Sequence, residues 1–294
     1  MTVTTAQPAV ARTHPLAPRN LVAAAAGSYL PLVLAVVVVA LPLVWMVLSS
    51  FKTPTELLTR DLSTILPSSL APTNYAEAAR EVPFARLFLN SAIVTVVGAG
   101  IKVLLAVFTA YALVFVRFPA KKLIFGLILV TLMVPPQVSL LPNYILISGM
   151  GGTDTYWGII LPGLGTGFGT FLLRQHFMTL PASILEAAEI DGAGHWRRLT
   201  RIVMPISAPS IVTVALVSIV FEWNDYLWPL VIVSDPSMMT LPVGLTLLSN
   251  SESSVAKYGV LMAGSVAVIV PVLIVFASLQ RYVIEGLTQG AVKD

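Results

Sequence analysis

The sequence predicts an all-α membrane protein with six transmembrane helices, both termini in the cytoplasm, and a polar helical segment between helices 4 and 5. The first observation is compositional: of 294 residues, 56% are hydrophobic and only 11% are charged, with a mean hydropathy of +0.88. Soluble domains carry about a quarter charged residues. The second observation is a set of six apolar stretches, and the third is an uneven distribution of Lys and Arg between them. Together they place the chain in a membrane with a defined orientation.

The six apolar stretches are close to the length that spans a bilayer, about 20 mostly apolar residues. The first is longer than the apolar run of a signal peptide, about 7–15 residues, and no small-residue cleavage site follows it. We therefore expect it to remain attached as the first helix. The six predicted spans are residues 29–50, 87–116, 123–141, 156–173, 206–230 and 258–279.

The basic residues predict the orientation, because cytoplasmic loops of membrane proteins carry an excess of Lys and Arg. With the N-terminus inside, eleven of the 17 basic residues lie on the cytoplasmic side, five lie outside, and Lys102 lies within the second span. The net charge of +3 therefore reflects orientation and gives no support for nucleic-acid binding. The cytoplasmic set is Arg12, Arg19, Arg117, Lys121, Lys122, Arg174, Arg197, Arg198, Arg201, Arg281 and Lys293, and the outer set is Lys52, Arg60, Arg80, Arg86 and Lys257.

The spans divide the chain into a tail, a membrane domain and a second tail. Residues 1–28 are predicted to be a flexible cytoplasmic tail, because their Thr, Ala and Pro residues follow no helical period. Residues 29–285 form the six-helix domain, with the polar segment at residues 181–205. Residues 286–294 form a cytoplasmic C-terminal tail. Prolines inside the spans predict kinks, at Pro42, Pro135, Pro136, Pro162 and Pro271.

Catalytic and metal chemistry find no support in the sequence. The chain has no cysteine, and its three histidines are scattered without the spacing of metal ligands. No phosphate-binding loop of the form Gly-x-x-x-x-Gly-Lys-Ser/Thr occurs, so the chain is not expected to hydrolyse nucleotide. Ser and His residues share no arrangement of nucleophile and base. We predict a non-catalytic chain without a cofactor or a metal ion.

The polar segment contains the string EAAEIDGAGHWRRLTRIVMP at residues 186–205. Ser183, three residues before Glu186, predicts a capping box at the start of a short helix. Gly192 and Gly194 predict the end of that helix and the turn to a second, basic one. The segment could lie on anionic lipid through its arginines. It could also dock on a protein, since lipid does not explain acids beside a face of small residues, namely Ile184, Ala187, Ala188 and Ala193.

The spacing within this segment resembles the EAA signature of bacterial ABC importer permeases. Glu186-Ala187-Ala188 is followed by three residues, Gly192, nine residues and Ile202-Val203-Met204-Pro205, with Met204 where Leu is usual. Much of the remaining chain is similar to the carbohydrate-uptake branch, of the MalG type. The motifs that carry this likeness are Asn90-Ser91, Tyr111-Ala112-Leu113, Arg117-Phe118-Pro119, Met133-Val134-Pro135, Asp191-Gly192-Ala193, residues 222–229 and residues 286–293.

This resemblance implies a function and a set of partners. The chain would be one permease subunit in a bacterial cytoplasmic membrane, beside a second permease of the MalF or UgpA kind, two ATP-binding subunits and an extracytoplasmic substrate-binding protein. ATP and magnesium would be bound by the partner subunits. The segment at residues 181–205, hereafter the coupling segment, would enter a groove of the ATP-binding subunit. The resemblance assigns this coupling to Glu186, Ala187, Ala188, Asp191, Gly192 and Ala193.

The C-terminal tail is similar to one that enters the interface between the two ATP-binding subunits, although a disordered terminus is the plain alternative. The residues concerned are Gly290, Ala291, Val292 and Lys293.

Four polar residues inside the spans are candidates for the translocation path, because charges at mid-bilayer are costly and usually face the bundle interior. Lys102 could line the path, which would suit an anionic substrate, could snorkel, or could pair with Glu222 or Asp225. Asn224 and the two acids lie beside Trp223, Tyr226 and Trp228, which could form an interfacial aromatic belt or a sugar-stacking surface.

The substrate is the last expectation. Residues 169–181 resemble the glycerol-3-phosphate and glycerophosphodiester subgroup, of the UgpE type. That subgroup implies glycerol-3-phosphate or glycerophosphocholine as substrate, with a disaccharide such as trehalose or maltose as the alternative. An ion-coupled secondary transporter is the alternative from another class, although it would show inverted halves and more intramembrane acids.

Overall fold

Helices make up every regular element of the part of the chain that the structure describes. The computed structural model describes residues 18–59, 61, 64–249 and 257–288, and no strand occurs within them. Three helices are long and apolar enough to cross a membrane unaided, through Tyr29–Ser49, Phe84–Phe115 and Tyr258–Arg281. Three further pairs of helices reach that length only when each bent pair is taken as one span. The described residues therefore contain three continuous spans, and up to six spans if each bent pair crosses the membrane as one.

The three continuous spans belong to helices α1, Pro18–Ser49, α4, Phe84–Phe115, and α15, Tyr258–Thr288. Helix α1 begins well before the predicted start of the first span, so the predicted flexible tail of residues 1–28 is wrong from Pro18 onwards. Two short helices, α2, Pro54–Leu58, and α3, Thr73–Glu81, lie between α1 and α4.

The start of α2 carries a capping box that the sequence analysis did not assign. The Glu56 carboxylate accepts the backbone N–H groups of Thr53 at 2.7 Å and Ser68 at 2.8 Å. The backbone N–H of Glu56 in turn donates to Oγ1 of Thr53 at 3.4 Å. Hydrogen bonds with Ser68 and Thr53 lower the pKa of Glu56 from 4.5 to about 2. The ionised Glu56 carboxylate therefore joins Thr53, at the start of α2, to Ser68 in the connection that follows this helix.

The third predicted span is not one helix. Helix α5, Lys121–Leu132, is followed by a 3₁₀ turn, Pro136–Ser139, and α6, Leu140–Gly149, and the two halves are bent by 93°. The residue before a proline is driven out of the helical region, and Pro135, which precedes Pro136, is extended with ψ at 128°. The predicted span over residues 123–141 is therefore a bent pair of helices, and the predicted kink at these prolines is confirmed.

The fourth span is bent by 47° between Tyr156–Leu164 and Gly167–Phe177. It consists of α7, Tyr156–Ile160, a 3₁₀ turn, Leu161–Leu164, and α8, Gly167–Phe177. The 3₁₀ turn contains Pro162, and Gly165 then leaves the helical region with ψ at 111°. The bend thus coincides with one of the predicted kink sites.

The fifth span and its flanks form a longer run of short helices. The coupling segment contains α9, Ala182–Ile190, α10, His195–Arg198, and a π turn, Leu199–Val203, and α11, Met204–Ile206, follows. An 81° bend separates this part from α12, Ala208–Trp223. After a break at residues 224–226 come α13, Leu227–Ile232, a 3₁₀ turn, Pro236–Met238, and α14, Leu241–Ser249. The predicted single span over residues 206–230 is therefore interrupted after Trp223.

Helix α4 lies at the centre of the bundle and packs most extensively against α8 and α12, while α15 packs on α12 and α1. At the end of α4 near Phe115, a buried apolar cluster joins α4, α8, the π turn and α12. Its members are Ala106, Val107, Ala110, Tyr111, Leu173, Phe177, Leu199, Val203 and Val214. Two other clusters occupy the opposite half of the bundle. The outer surfaces of α1 and α5 remain apolar and exposed, as expected for helices facing lipid or another membrane subunit.

Candidate functional site

The coupling segment presents one exposed side and one buried side. Glu186, Ala187, Asp191 and Gly192 are exposed, and Ile190, at the tip of the segment, is 87% exposed. Ile184 is also exposed, so this side of the segment carries apolar side chains together with acids.

The opposite side of the segment packs on its own subunit. Ala188 and Ala193 are buried, and Leu185 packs against the apolar cluster at the end of α4. The predicted small-residue face is therefore divided, because only Ile184 and Ala187 point outward. Ala188 and Ala193 let the segment approach the bundle closely and are covered by this chain itself, which leaves them unavailable to a groove in another subunit.

Helix α9 begins two residues earlier than predicted. Pro181 is the residue before the helix, and no side chain caps it. Ser183 lies inside the first turn, so the predicted capping box between Ser183 and Glu186 is wrong. As a result Glu186 forms no hydrogen bond or ion pair within the described residues, and its carboxylate is available to a partner.

Gly192 ends α9 in a conformation that favours glycine. Its φ is +72°, a left-handed value that costs other residues about 1–2 kcal/mol. The N–H of Gly192 donates to the Glu189 carbonyl at 3.0 Å, and the N–H of Ala193 donates to the Ala188 carbonyl at 2.9 Å. These two bonds form a Schellman cap. The predicted helix end at Gly192 is confirmed, and its physical reason is this cap.

A polar bridge, formed by Tyr111, His195, Arg198 and Glu189, joins the coupling segment to the end of α4. The Tyr111 hydroxyl lies 3.1 Å from Nδ1 of His195, and Nη2 of Arg198 lies 3.4 Å from the same nitrogen. Because a guanidinium can only donate, Nδ1 is the acceptor. Nη1 of Arg198 then pairs with Glu189 at 3.0 Å. The bridge therefore runs from a buried tyrosine of the second span to an exposed acid of α9.

Sequence reasoning missed this bridge. Tyr111 and His195 are 84 residues apart in the chain, so no local spacing reveals their contact. The Glu189 and Arg198 pair lies across the Gly192 turn, and only the fold of that turn brings them together.

Lys102, in the middle of α4, forms an ion pair with Glu222, in the last turn of α12. Their side chains are 17% and 10% exposed. Of the alternatives for Lys102, pairing with Glu222 is the one the structure shows. Gly98 makes room for the pair, because a Cβ there would lie 2.8 Å from Oε2 of Glu222. Gly163 lies beside the pair, since a Cβ there would be in ordinary contact with Nζ of Lys102 at 3.5 Å. Gly163 belongs to the 3₁₀ turn at the bend of the fourth span, so the pair lies where three spans meet.

Asp225 and Asn224 lie just beyond α12. The Asp225 carboxylate lies near the backbone N–H groups of Tyr226 and Trp228 and near the side chains of Glu222 and Lys102. Asn224 is exposed and donates to the Val220 carbonyl at 2.7 Å. Three of the four candidate path residues are thus brought close together.

The aromatic residues here have a structural role that neither sequence hypothesis described. Trp223 is buried and donates Nε1 to the Val268 carbonyl at 3.0 Å. Trp228 is buried and donates Nε1 to the carbonyls of Gly158 and Ile159 at 3.1 and 3.0 Å. The interfacial belt and the sugar-stacking surface are therefore both wrong as hypotheses for these two side chains. Their indole N–H groups instead form hydrogen bonds that join α12 and α13 to neighbouring spans.

Two further expectations concern the C-terminal tail and the binding of metal ions. The C-terminal residues Gly290, Ala291, Val292 and Lys293 lie outside the described residues. No group of three or more acidic or His residues that could hold a metal ion occurs in the part of the chain that the structure covers.

A bundle of straight and broken apolar helices, with a short helical segment exposed at one end, defines the membrane subunit of an ABC importer as the class of protein. The fold agrees with a crystal structure of a bacterial ABC transporter involved in the import of the acidic polysaccharide alginate, with a TM-score of 0.79 and 23% identity. The likeness covers 92% of this chain and 100% of the matching one.

The chain belongs to the family described as the binding-protein-dependent transport system inner membrane component, whose sequence model matches residues 102–289. It is 33% identical over 268 residues to the sn-glycerol-3-phosphate transport system permease protein UgpE of Brucella abortus (strain 2308), covering 89% of this chain and 95% of the relative. The same permease protein of Yersinia pestis bv. Antiqua (strain Antiqua) is 36% identical over 208 residues, covering 71% and 74%. The protein is therefore a multi-pass permease subunit of a bacterial inner-membrane importer.

Proposed function

We propose that this permease imports glycerol-3-phosphate or a glycerophosphodiester such as glycerophosphocholine, and that its coupling segment transmits the movement of an ATP-binding subunit to the spans. The single observation that carries the substrate proposal is the 33% identity to UgpE permeases, which extends over 89% of the chain. The remaining partners are a second permease subunit, a second ATP-binding subunit and an extracytoplasmic binding protein. Nucleotide and magnesium belong to the ATP-binding subunits, and this chain is not catalytic.

The shape of the coupling segment supports its proposed role. Its exposed tip offers an apolar contact at Ile190 and unpaired acids at Glu186 and Asp191, while its other side is fixed to the bundle. A partner that binds the tip therefore pushes on a rigid body. That body continues through α10 and the π turn into the fifth span, so closure of the ATP-binding subunits would tilt α12.

The domain organisation and orientation are part of the same proposal. The bias of eleven basic residues against five supports a cytoplasmic position for the coupling segment and both termini. Residues 29–285 then act as the membrane domain, and residues 286–294 as a tail that reaches the ATP-binding subunits. Only 6% of the apolar window of the first span is buried within the subunit. Its exposed face is therefore left for membrane lipid and the second permease.

The ion pair bears on how an anionic substrate would pass. Lys102 is neutralised by Glu222, and Asp225 adds another carboxylate nearby, so this cluster carries no excess positive charge. An anion would therefore gain little from Lys102 while the pair is closed. Lys102 contributes to passage only in a conformation that separates it from Glu222, which the bend beside Gly163 makes mechanically accessible.

The substrate is tested by uptake of labelled glycerol-3-phosphate, glycerophosphocholine and trehalose in cells with and without this gene. We expect loss of uptake of the glycerol phosphate compounds with trehalose uptake unchanged. Loss of trehalose or maltose uptake alone would keep the importer and replace the proposed substrate with a disaccharide. Unchanged uptake of all these compounds, with the chain purifying alone, would contradict the proposal as a whole.

A further inference from the structure

A basic cavity lies between the second, third and fourth spans, at the same end of the bundle as the coupling segment. It has a volume of about 300 Å³ and is lined by Leu113, Val114, Lys121, Lys122, Phe125, Arg174 and Met178. Three of these side chains are cationic and none is acidic. Neither the substrate nor the ATP-binding subunits have been assigned to this place, which lies away from the ion pair at the middle of α4.

Two of the three cations of the cavity, Lys121 and Arg174, are held in place by contacts within the chain. Nζ of Lys121 donates to the carbonyls of Val114 and Val116 at 2.9 and 3.1 Å, which fixes it against the last turn of α4. The Arg174 guanidinium lies 4.0 Å from the centre of the Phe125 ring, and that ring stacks on Phe171 at 6.4 Å. The positive charges are thus presented at fixed positions.

These cations lack an anionic partner. Arg174 forms no ion pair within the described residues, and its buried Nε has no hydrogen-bond partner there. Lys121 and Lys122 open helix α5, where no acidic residue occupies the first turn. Positive charges at a helix N-terminus oppose the helix dipole. A bound anion would remove this repulsion and supply the missing acceptor for Arg174, since a guanidinium matches the geometry of a phosphate.

An apolar surface leads away from the cavity along α5. Leu123, Ile124, Leu127 and Val130 follow the two lysines and remain exposed. A ligand that fits both features carries an anionic phosphate at one end and acyl chains at the other. Basic pockets between transmembrane helices at the cytoplasmic side bind the headgroups of anionic lipids.

We propose that this cavity binds the phosphate headgroup of an anionic phospholipid of the cytoplasmic leaflet, with the acyl chains along the exposed face of α5. Arg174 receives the phosphate, Lys122 supplies the second positive charge, and Lys121 joins the headgroup to the end of α4. Because α8 leads directly into the coupling segment, the lipid would also brace the span that carries this segment. The site is independent of the transported substrate.

Native mass spectrometry of the assembled, delipidated transporter tests the site, using added phosphatidylglycerol and phosphatidylcholine with the same acyl chains. We expect phosphatidylglycerol to be retained on the wild-type chain and its retention to fall at least fivefold in Lys122→Gln, whose side chain is exposed and whose loss does not disturb packing. Arg174→Gln is expected to reduce retention further. The matched control is Arg80→Gln, which removes one exposed positive charge from α3 beside the opposite end of α4, roughly 48 Å away along a helix of 32 residues.

Each other outcome overturns the proposal. Equal retention of the two lipids, or an equal loss in Arg197→Gln on the coupling segment, would show a general electrostatic effect without a site. Displacement of phosphatidylglycerol by millimolar inorganic phosphate would identify free phosphate as the ligand. Loss of the ATP-binding subunits from Lys122→Gln with lipid retention intact would show that the cavity is a protein contact.

Discussion

Two ion pairs within the described residues lie in contrasting surroundings. Lys102 and Glu222 lie inside the bundle, with side chains 17% and 10% exposed, whereas Arg198 and Glu189 join two parts of the coupling segment, with side chains 14% and 71% exposed. A pair removed from water leaves a costly charge behind when one partner is lost, while a pair with a solvated partner contributes little to stability. The comparison indicates that the inner pair maintains the fold and the outer pair positions α9.

The largest effect is expected from breaking the inner pair. Lys102→Met leaves Glu222 without a counter-charge, so we expect a loss of about 3–5 kcal/mol in unfolding free energy. Thermal unfolding of the purified transporter in detergent measures it. The matched control is Lys257→Met, which breaks the more exposed pair with Glu81, 26% and 28% exposed, and should cost less than about 1 kcal/mol.

The double variant Lys102→Met/Glu222→Leu sharpens this test. Removing both charges eliminates the uncompensated carboxylate, so we expect the double variant to regain most of the stability that Lys102→Met loses. If the single and the double variant were equally unstable, packing around the pair, and not its charge, would be the source of the loss.

The next largest effect is expected at the turn of the coupling segment. Gly192→Ala must adopt φ near +72°, which costs about 1–2 kcal/mol, so we expect transport to fall about tenfold. Gly192→Pro also removes the N–H that donates to the Glu189 carbonyl, so we expect this variant to abolish transport. Both variants should remain in the membrane. The measurement is substrate uptake, corrected for the amount of protein.

Gly194 provides the control for that turn. Its φ is −67°, and a Cβ there would meet nothing within 4 Å, so Gly194→Ala should transport normally. Equal activity of Gly192→Ala and Gly194→Ala would show that the left-handed cap is not needed for coupling.

Breaking the polar bridge should change transport more than stability. Arg198→Gln removes the contacts with Glu189 and His195, and we expect less than about 1 kcal/mol of lost stability but about a threefold loss of uptake, because α9 is no longer held at a fixed angle to α4. Arg197→Gln removes the same charge from the neighbouring, exposed residue and serves as the control. A similar loss of uptake in both variants would indicate a general requirement for positive charge.

The smallest effect is expected at Glu56, in the connection between α1 and α3. Its pKa is lowered to about 2 from 4.5, so its carboxylate stabilises this connection fully above about pH 4.5, and the contribution is lost as the pH falls towards about 2. Limited proteolysis between pH 7 and 3 should show increased cleavage of this connection only at the acid end. Glu56→Gln should be cleaved faster at neutral pH and should lose the pH dependence.

Hydropathy was sufficient for the three continuous spans and for the approximate extent of the bent ones, because both depend on local composition. It was not sufficient for the continuity of the spans. The 93° bend after Leu132 depends on the packing of α5 on α8 and of α6 on α13, and the sequence shows only that prolines are present. The helix cap at Gly192 was predictable because glycine in that position has a local cause.

The side-chain partners were predictable only in part. Charge balance limits Lys102 to a few acids, and Glu222 was among them. Trp223 and Trp228 looked interfacial because they lie beside polar residues, yet their indole N–H groups donate to backbone carbonyls of other spans, Val268 of α15 and Gly158 and Ile159 of α7. Tyr111 and His195 gave no signal, because their contact depends on the return of the coupling segment to the end of α4.

The exposed tip of the coupling segment is proposed to contact an ATP-binding subunit. Since the chain contains no cysteine, Ile190→Cys introduces a single reactive site into it, and a photoactivatable thiol reagent on this site can be tested for adducts in the assembled transporter. We expect an adduct with the ATP-binding subunit from Ile190→Cys and none from Leu127→Cys on the exposed face of α5. An Ile190→Cys protein that labels only lipid or the second permease would contradict it.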